Sequence, residues 1–304
     1  ELSNDGLEYY LKEKNQKKFI FLLSNAYFRS SWKYEQRAIR YLLLDTGHMM
    51  GSIFAALELE NIPFDIDFNF DKEALNSDFS FDNYESFYVA VSCGEYKKIE
   101  VKKLRTPIVN VCACDYQIKD TFIEEFYKNS FKDDFPIISN IDLLKDINKK
   151  ILYEAINKRR SIRAFRNKAI TKEDFLFITK NIFEFASKYD LEIYFINNNI
   201  SNMKKGIYKN VKLQKEGDFK ETAIKLALNQ KLAGQSAFTL FFTSSNIKNY
   251  FYLYILSGFI SQILYLRTTS INLSSSGIGA YFDDITKEFF ETYNNIFYVF
   301  AIGK

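Results

Sequence analysis

The stretch Lys158–Ile170 reads KRRSIRAFRNKAI. Four arginines, Arg159, Arg160, Arg163 and Arg166, surround a single serine, Ser161, where helical periodicity stops. Upstream, Ile151, Leu152, Ala155 and Ile156 recur at helical spacing, so ILYEAINKRR predicts a short amphipathic helix. The cluster then has two uses. Cations after a helix C-terminus are favoured there by the helix dipole and need no ligand. The set Arg159, Arg160, Ser161 and Arg163 also concentrates fork-shaped donors and a hydroxyl at a turn, which suits charge-assisted, bidentate hydrogen bonding to a phosphomonoester.

Outward from the cluster, Thr171 and Asp174 have the spacing of a capping box and predict a helix carrying Phe175, Ile178, Ile182 and Phe185 on one face. LEIYFIN, Leu191–Asn197, reads as a strand. Farther on, YLYILSGFISQILYLRTTSINL, Tyr252–Leu273, is a long apolar helix, followed by TKEFF and by FYVFAIG, Phe297–Gly303. The first half has the same order: YLLLDTGHMMGSIFAALELENI, Tyr41–Ile62, then DKEAL, then FYVAVSCG, Phe87–Gly94. A long helix, a short helix and a strand ending on glycine, met twice, read as a duplication. Between them, Tyr96–Lys150 is more charged, with LRTPIVNVCACDY as a predicted strand and DTFIEEFYKNSFKDDFP as a polar helix and turn. The boundary falls between Ser139 and Asp146, giving halves 1–140 and 141–304. Helices and strands mix without steady βαβ alternation, which predicts an α+β fold rather than a doubly wound sheet.

Composition limits the function. With 304 residues, 47% hydrophobic and 17% aromatic, the chain can bury one large or two modest cores, which excludes disorder. Forty-one basic side chains against thirty-eight acidic ones leave a formal charge of +3, too little for a broad field toward nucleic acid or an anionic membrane. An anion site therefore has to be local. The apolar run Tyr250–Leu266 is shorter than the ~20 residues of a membrane span and is interrupted by Ser257, Ser261 and Gln262, so it predicts a buried helix. The opening ELSNDGLEYY lacks a secretory pattern and an initiating Met, and it reads as the start of a fragment or a processed form. Three cysteines, Cys93, Cys112 and Cys114, fit a reducing compartment, with cytoplasm as the expectation. Cys112, Cys114 and the single histidine, His48, fall short of the about four ligands of a closed metal site, so no metal is expected.

RRSIRAF followed by the I-T-x-E helix start resembles the opening signature of the nitroreductase family, FMN-dependent α+β enzymes that usually form intertwined dimers. GDFKETAIKLALNQKLAGQSAFTLFFTSS, Gly217–Ser245, and SSSGIGAYFDD, Ser274–Asp284, resemble later segments of that domain in its SagB-type branch, the thiazoline and oxazoline dehydrogenases of ribosomal peptide natural-product pathways. RSSWKYEQRAIRYLLLDTGH, Arg29–His48, resembles the same branch more closely still. The resemblance implies FMN as cofactor. Arg159, Arg160, Ser161 and Arg163 match positions holding its phosphate and ribityl chain, and Ile278, Gly279 and Ala280 match a loop beside the isoalloxazine. There Gly279 would admit close approach of the backbone, and a main-chain N–H could donate to flavin N5. Lys33 and Tyr34 match a catalytic Lys-Tyr pair. As a base Lys33 needs a lowered pKa, which neighbouring Arg29 and Arg37 and partial burial would favour. A structural alternative puts Lys33, Glu35 and Arg37 on a solvated face, with Trp32 and Tyr34 packed inward. His48, read as starting its helix, is assigned no role.

Neither half carries the whole pattern. The first has WKY, shows no RRS segment, and has glycine-free NIPFDIDFNF where the second has GIGA. The second has RRSIR and GIGA, with NIKNYFY, Asn246–Tyr252, in place of WKY. Three arrangements account for this: an internal pseudo-dimer with one composite flavin site, two crippled sites in a chain that binds without catalysing, or a first site completed by residues upstream. The leading expectation is an FMN-dependent dehydrogenase that oxidises azolines to azoles. It implies a modified precursor peptide as substrate, a cyclodehydratase complex as partner, and homodimerisation as an open question. The alternatives are an NAD(P)H-dependent nitro or quinone reductase and a non-catalytic subunit.

Overall fold

The computed structural model describes residues 19–81, 85–95, 108–110, 117–130 and 135–304. The chain divides into two units, Glu1–Ile141 and Asp142–Lys304.

The N-terminal unit opens with β1 (Phe19–Ala26), α1 (Phe28–Tyr34), a 3-10 turn (Glu35–Arg37) and α2 (Ala38–Glu60). Ile39, Leu43, Met50, Phe54 and Leu57 recur at helical spacing and are buried, so burial of one face holds α2 in place. Asn25 of β1 donates to Thr46 Oγ1 at 2.5 Å and to the Leu42 carbonyl at 3.2 Å, which ties strand to helix. The helix stops where Asn61 turns left-handed, at φ 52°, and the Ile62 N–H closes on the Leu57 carbonyl at 2.9 Å. His48 lies inside α2 and not at its start. Next come β2 (Phe64–Asp67), α3 (Lys72–Asp78), β3 (Glu85–Cys93), α4 (Thr121–Ser130) and β4 (Ile138–Ser139). Asp71 caps α3 by accepting the Ala74 N–H at 3.0 Å. The strands form an antiparallel sheet in the order β1-β3-β2-β4. Most of the predicted strand LRTPIVNVCACDY, with Cys112 and Cys114, lies outside the described residues.

The C-terminal unit starts with α5 (Lys149–Lys158), capped by Asn148, whose side chain accepts the Lys150 N–H at 2.9 Å. The capping box forms as predicted: Thr171 Oγ1 accepts from the Asp174 N–H and the Asp174 carboxylate from the Thr171 N–H, each at 3.0 Å. The helix it opens is shorter than expected. It divides into α6 (Lys172–Thr179) and α7 (Ile182–Lys188), because Asn181 between them is left-handed, at φ 61°. Then follow β5 (Glu192–Asn197), β6 (Gly206–Lys209), β7 (Lys212–Glu216), α8 (Lys220–Leu226), α9 (Lys231–Gln235), β8 (Phe238–Ser244), α10 (Tyr250–Ser270), β9 (Ser274–Ile278), α11 (Asp283–Phe289) and β10 (Asn295–Gly303). The sheet is antiparallel in the order β7-β6-β5-β8-β10-β9. Every residue of α10 from Phe251 to Thr268 is buried, as a helix apolar on all sides requires.

The two units share a core topology. The succession β1, α2, β2, α3, β3 in the first matches β8, α10, β9, α11, β10 in the second, and the strand order β1-β3-β2 matches β8-β10-β9. They differ between the first strand and the long helix. There the N-terminal unit has α1, which carries WKY, and the C-terminal unit has only a 3-10 turn, Ile247–Asn249.

Candidate functional site

The arginine segment leaves α5 as an extended arm along the outer edge of β9. Ser161 forms a parallel bridge with Ser275, the Ile162 N–H reaches the Ser275 carbonyl at 3.4 Å, and the Arg166 N–H reaches the Lys304 carbonyl at 2.6 Å. Phe165 is buried, and Ile162 packs against the cluster that Phe165 shares with Ile278 and Tyr281. Those apolar anchors leave Arg160, Ser161 and Arg163 exposed.

The arginines then part company. Arg160 donates to the Asn157 and Arg159 carbonyls at 3.2 and 2.8 Å, which realises the helix-end use of a cation. Arg159 lies over the Tyr265 ring, 5.0 Å from its centroid. No carboxylate among the described residues pairs with Arg159, Arg160, Arg163 or Arg166. Ser161 Oγ is 2.7 Å from the Tyr265 hydroxyl, which also accepts the Gly277 N–H at 2.8 Å. The arm is thus joined to β9 through one phenol.

β9 runs directly into Gly279 and Ala280. Gln230 Nε2 donates to the Ala280 carbonyl at 3.1 Å, and the Phe282 N–H donates to the Leu226 carbonyl at 3.0 Å, so both sides of this loop are fixed. The N–H groups of Gly279 and Ala280 have no acceptor among the described residues. Gly279 is not left-handed. In this segment the glycine without room for a side chain is Gly277, where a Cβ would overlap the Tyr298 hydroxyl. Arg159, Ser161, Ile278, Gly279 and Ala280 therefore lie on two adjoining segments of one unit. They offer guanidinium, hydroxyl and backbone N–H donors without an internal anion, a donor set that fits a phosphorylated flavin.

Lys33 and Tyr34 end α1, in which no residue is buried. Trp32 is 65% exposed, so the inward packing considered for it does not occur. Lys33 Nζ lies over the Tyr34 ring at 5.2 Å, and Tyr34 meets Tyr41 edge-on at 4.7 Å. The next residue, Glu35, has φ 50° and ψ −139°, a conformation that costs a side-chain-bearing residue energy. The partial burial expected to tune Lys33 is absent, because its side chain is exposed. The buried lysine is Lys72, which donates to the Phe68 carbonyl and lies 4.5 Å from the Phe70 ring centroid. Burial pushes it down to about 8, with Asp67 opposing. DKEAL gave no hint of this, since a lysine at a helix start reads as solvated. Tyr265 and Gln230 were missed as well, one inside an apolar run and the other in a loop. Among the described residues no group of His, Cys, Asp and Glu could hold a metal ion, and no helix is long and apolar enough to cross a membrane.

Residues 156–304 match the model of the nitroreductase family. No curated protein matches the chain. Among solved structures, a protein from Anabaena variabilis assigned to the nitroreductases superposes with a TM-score of 0.75 at 21% identity, over 95% of this chain and 70% of its own. That likeness bears on the fold alone. B. megaterium NfrA1 (TM-score 0.38, 16% identity) covers 50% of this chain and 65% of its own. A Clostridium acetobutylicum protein described as an NADH oxidase (TM-score 0.37, 14% identity) covers 49% of this chain and 86% of its own. These two superpositions are too loose to bear on the arrangement.

Proposed function

We propose that this chain, whose residues 156–304 match the model of the nitroreductase family, is an FMN-dependent oxidoreductase. The observation that carries the proposal is the arm Arg159–Arg163, held along β9, beside the Gly279–Ala280 loop; among the described residues no carboxylate pairs with its guanidinium groups and no acceptor meets the Gly279 and Ala280 N–H groups. Arg159, Arg160, Ser161 and Arg163 would hold the phosphate and ribityl chain, and Ile278, Gly279 and Ala280 would line the ring. Bound FMN supplies a two-electron acceptor. The donors of this chain would orient it, and Gln230 holds the Ala280 carbonyl in place beside it.

The finer reading is oxidation of azolines to azoles in a ribosomally made peptide. Lys33 would take the carbon-bound proton, with Tyr34 beside it. In support, α1 resembles the corresponding segment of the SagB-type branch and has no buried residue, with Trp32, Lys33 and Tyr34 exposed, which suits a peptide-sized substrate. A cyclodehydratase complex as partner, a cytoplasmic setting and homodimerisation go with this reading. NAD(P)H-dependent reduction of nitro compounds or quinones is the competing activity.

The test is to incubate the FMN-loaded chain in air with a thiazoline-bearing peptide and follow it by mass spectrometry. Loss of two hydrogens is expected. An unchanged peptide, with rapid bleaching of the flavin by NADPH, would instead establish the reductase.

A further inference from the structure

The counterparts of one core position differ between the units. Counted from the paired helix starts Tyr41 and Tyr252, Tyr265 corresponds to Phe54. Both rings are buried and both meet a phenylalanine edge-on: Phe54 meets Phe64 at 5.5 Å, and Tyr265 meets Phe300 at 4.8 Å. A phenylalanine is thus sufficient for the packing role. The hydroxyl is present only in the unit that carries the arginine arm, and there it contacts both the arm and β9.

The direction of these hydrogen bonds follows from the chemistry of the groups. The Gly277 N–H can only donate, so the Tyr265 oxygen accepts it at 2.8 Å. At the 2.7 Å contact with Ser161 either hydroxyl can be the donor. An anion at Ser161 decides between them, because it needs the serine proton for itself, and the contact must then be donated by Tyr265. The result is one polarised series: Gly277 N–H to Tyr265, Tyr265 O–H to Ser161, Ser161 O–H to the anion. Each bond in such a series strengthens the next.

We propose that Tyr265 is a positioning residue for the phosphate of FMN, orienting the Ser161 proton toward it and coupling that proton to the backbone of β9. The inference rests on the flavin reading above. It adds that selectivity for FMN over riboflavin, which lacks the phosphate, depends on a phenol that need not touch the ligand. A ring that only packs would affect both flavins alike.

The experiment is equilibrium titration of the full chain with FMN and with riboflavin, followed by quenching of flavin fluorescence. Tyr265→Phe keeps the ring and its packing. It should weaken FMN about tenfold, as expected for one well-oriented hydrogen bond in a series that ends on a charged group, and leave riboflavin within about twofold. Ser161→Ala should show the same selective loss. The double variant should be little worse than Ser161→Ala, since both act through one bond to the phosphate. Equal weakening of both flavins in Tyr265→Phe, or no change in either, would overturn the proposal. If the unaltered chain binds neither flavin, the FMN reading itself falls, and the inference with it.

Discussion

Arg267, buried in the last turns of α10, grips Asp146 through two hydrogen bonds of 2.8 and 3.0 Å. The same guanidinium donates to the Leu143 carbonyl at 2.7 Å and to the Phe177 carbonyl at 2.6 Å, so one side chain ties the entry to the C-terminal unit to α6 and α10. Arg267 is the main reason that Asp146 is held down at about 2, with Lys180 adding a smaller pull. A carboxylate whose folded pKa is depressed stabilises the fold above its unfolded pKa and loses that contribution as pH falls toward the folded one. Denaturant unfolding should therefore show a loss of about 1–2 kcal/mol between about pH 4 and pH 2, discounted for the carboxylate's partial exposure. Asp146→Asn should lack that slope. Arg267→Met should cost about 3 kcal/mol at neutral pH by leaving the Leu143 and Phe177 carbonyls without this donor and Asp146 with Lys180 alone.

Lys72 predicts a second rise of stability with pH, in alkali. Burial lowers it to about 8, so between about pH 8 and its unfolded value near 10.5 the unfolded chain holds a proton that the folded chain has released. Stability then rises with pH, by about 2–3 kcal/mol over that window. Buried Tyr88 and Tyr127, both pushed upward by burial, oppose the rise above about pH 10. Lys72→Met should be more stable than the unaltered chain near neutrality and should lack the rise. A parallel rise in both proteins, measured by urea midpoints, would remove Lys72 as its source.

Lys33→Ala should leave flavin affinity unchanged, because Lys33 is not on the arginine arm, and should lower azole formation at least about a hundredfold, the usual contribution of a general base. As an exposed residue on a helix without buried positions, its loss should change stability by less than about 0.5 kcal/mol. Full activity in this variant would take the lysine out of the mechanism.

Gly277→Ala should destabilise the C-terminal unit by about 1–3 kcal/mol, since the new methyl group meets the Tyr298 hydroxyl and ring. Thermal unfolding of the variant measures this directly. Gly279→Ala, outside the left-handed region, should be milder in the same assay.

Local signals made much of the fold legible. The apolar run Tyr41–Ile62, the Thr171–Asp174 capping box and the apolar run of α10 all act within a few turns of chain, and each marks a helix. The break between α6 and α7 was not legible, because Asn181 is compatible with a helix until its left-handed conformation is known. The arm and the Gly279–Ala280 loop could be named from sequence as separate motifs. Their junction could not, because it depends on a contact between Ser161 and Tyr265, 104 residues apart. Exposure was the hardest quantity to read. Trp32, packed inward on one of the two readings of its segment, is solvated, and Lys72, for which the sequence carried no signal, is buried.

The most direct measurement is the visible absorption spectrum of the chain after FMN loading and gel filtration, compared with that of Arg163→Ala. Arg163 is exposed and has no carboxylate partner among the described residues, so its removal should leave the fold intact. The account predicts a stoichiometric flavin spectrum for the unaltered chain and a clear loss of retained flavin in the variant. A colourless protein that takes up no FMN, or a variant that retains it as well as the unaltered chain, would contradict the assignment of this arm to the phosphate.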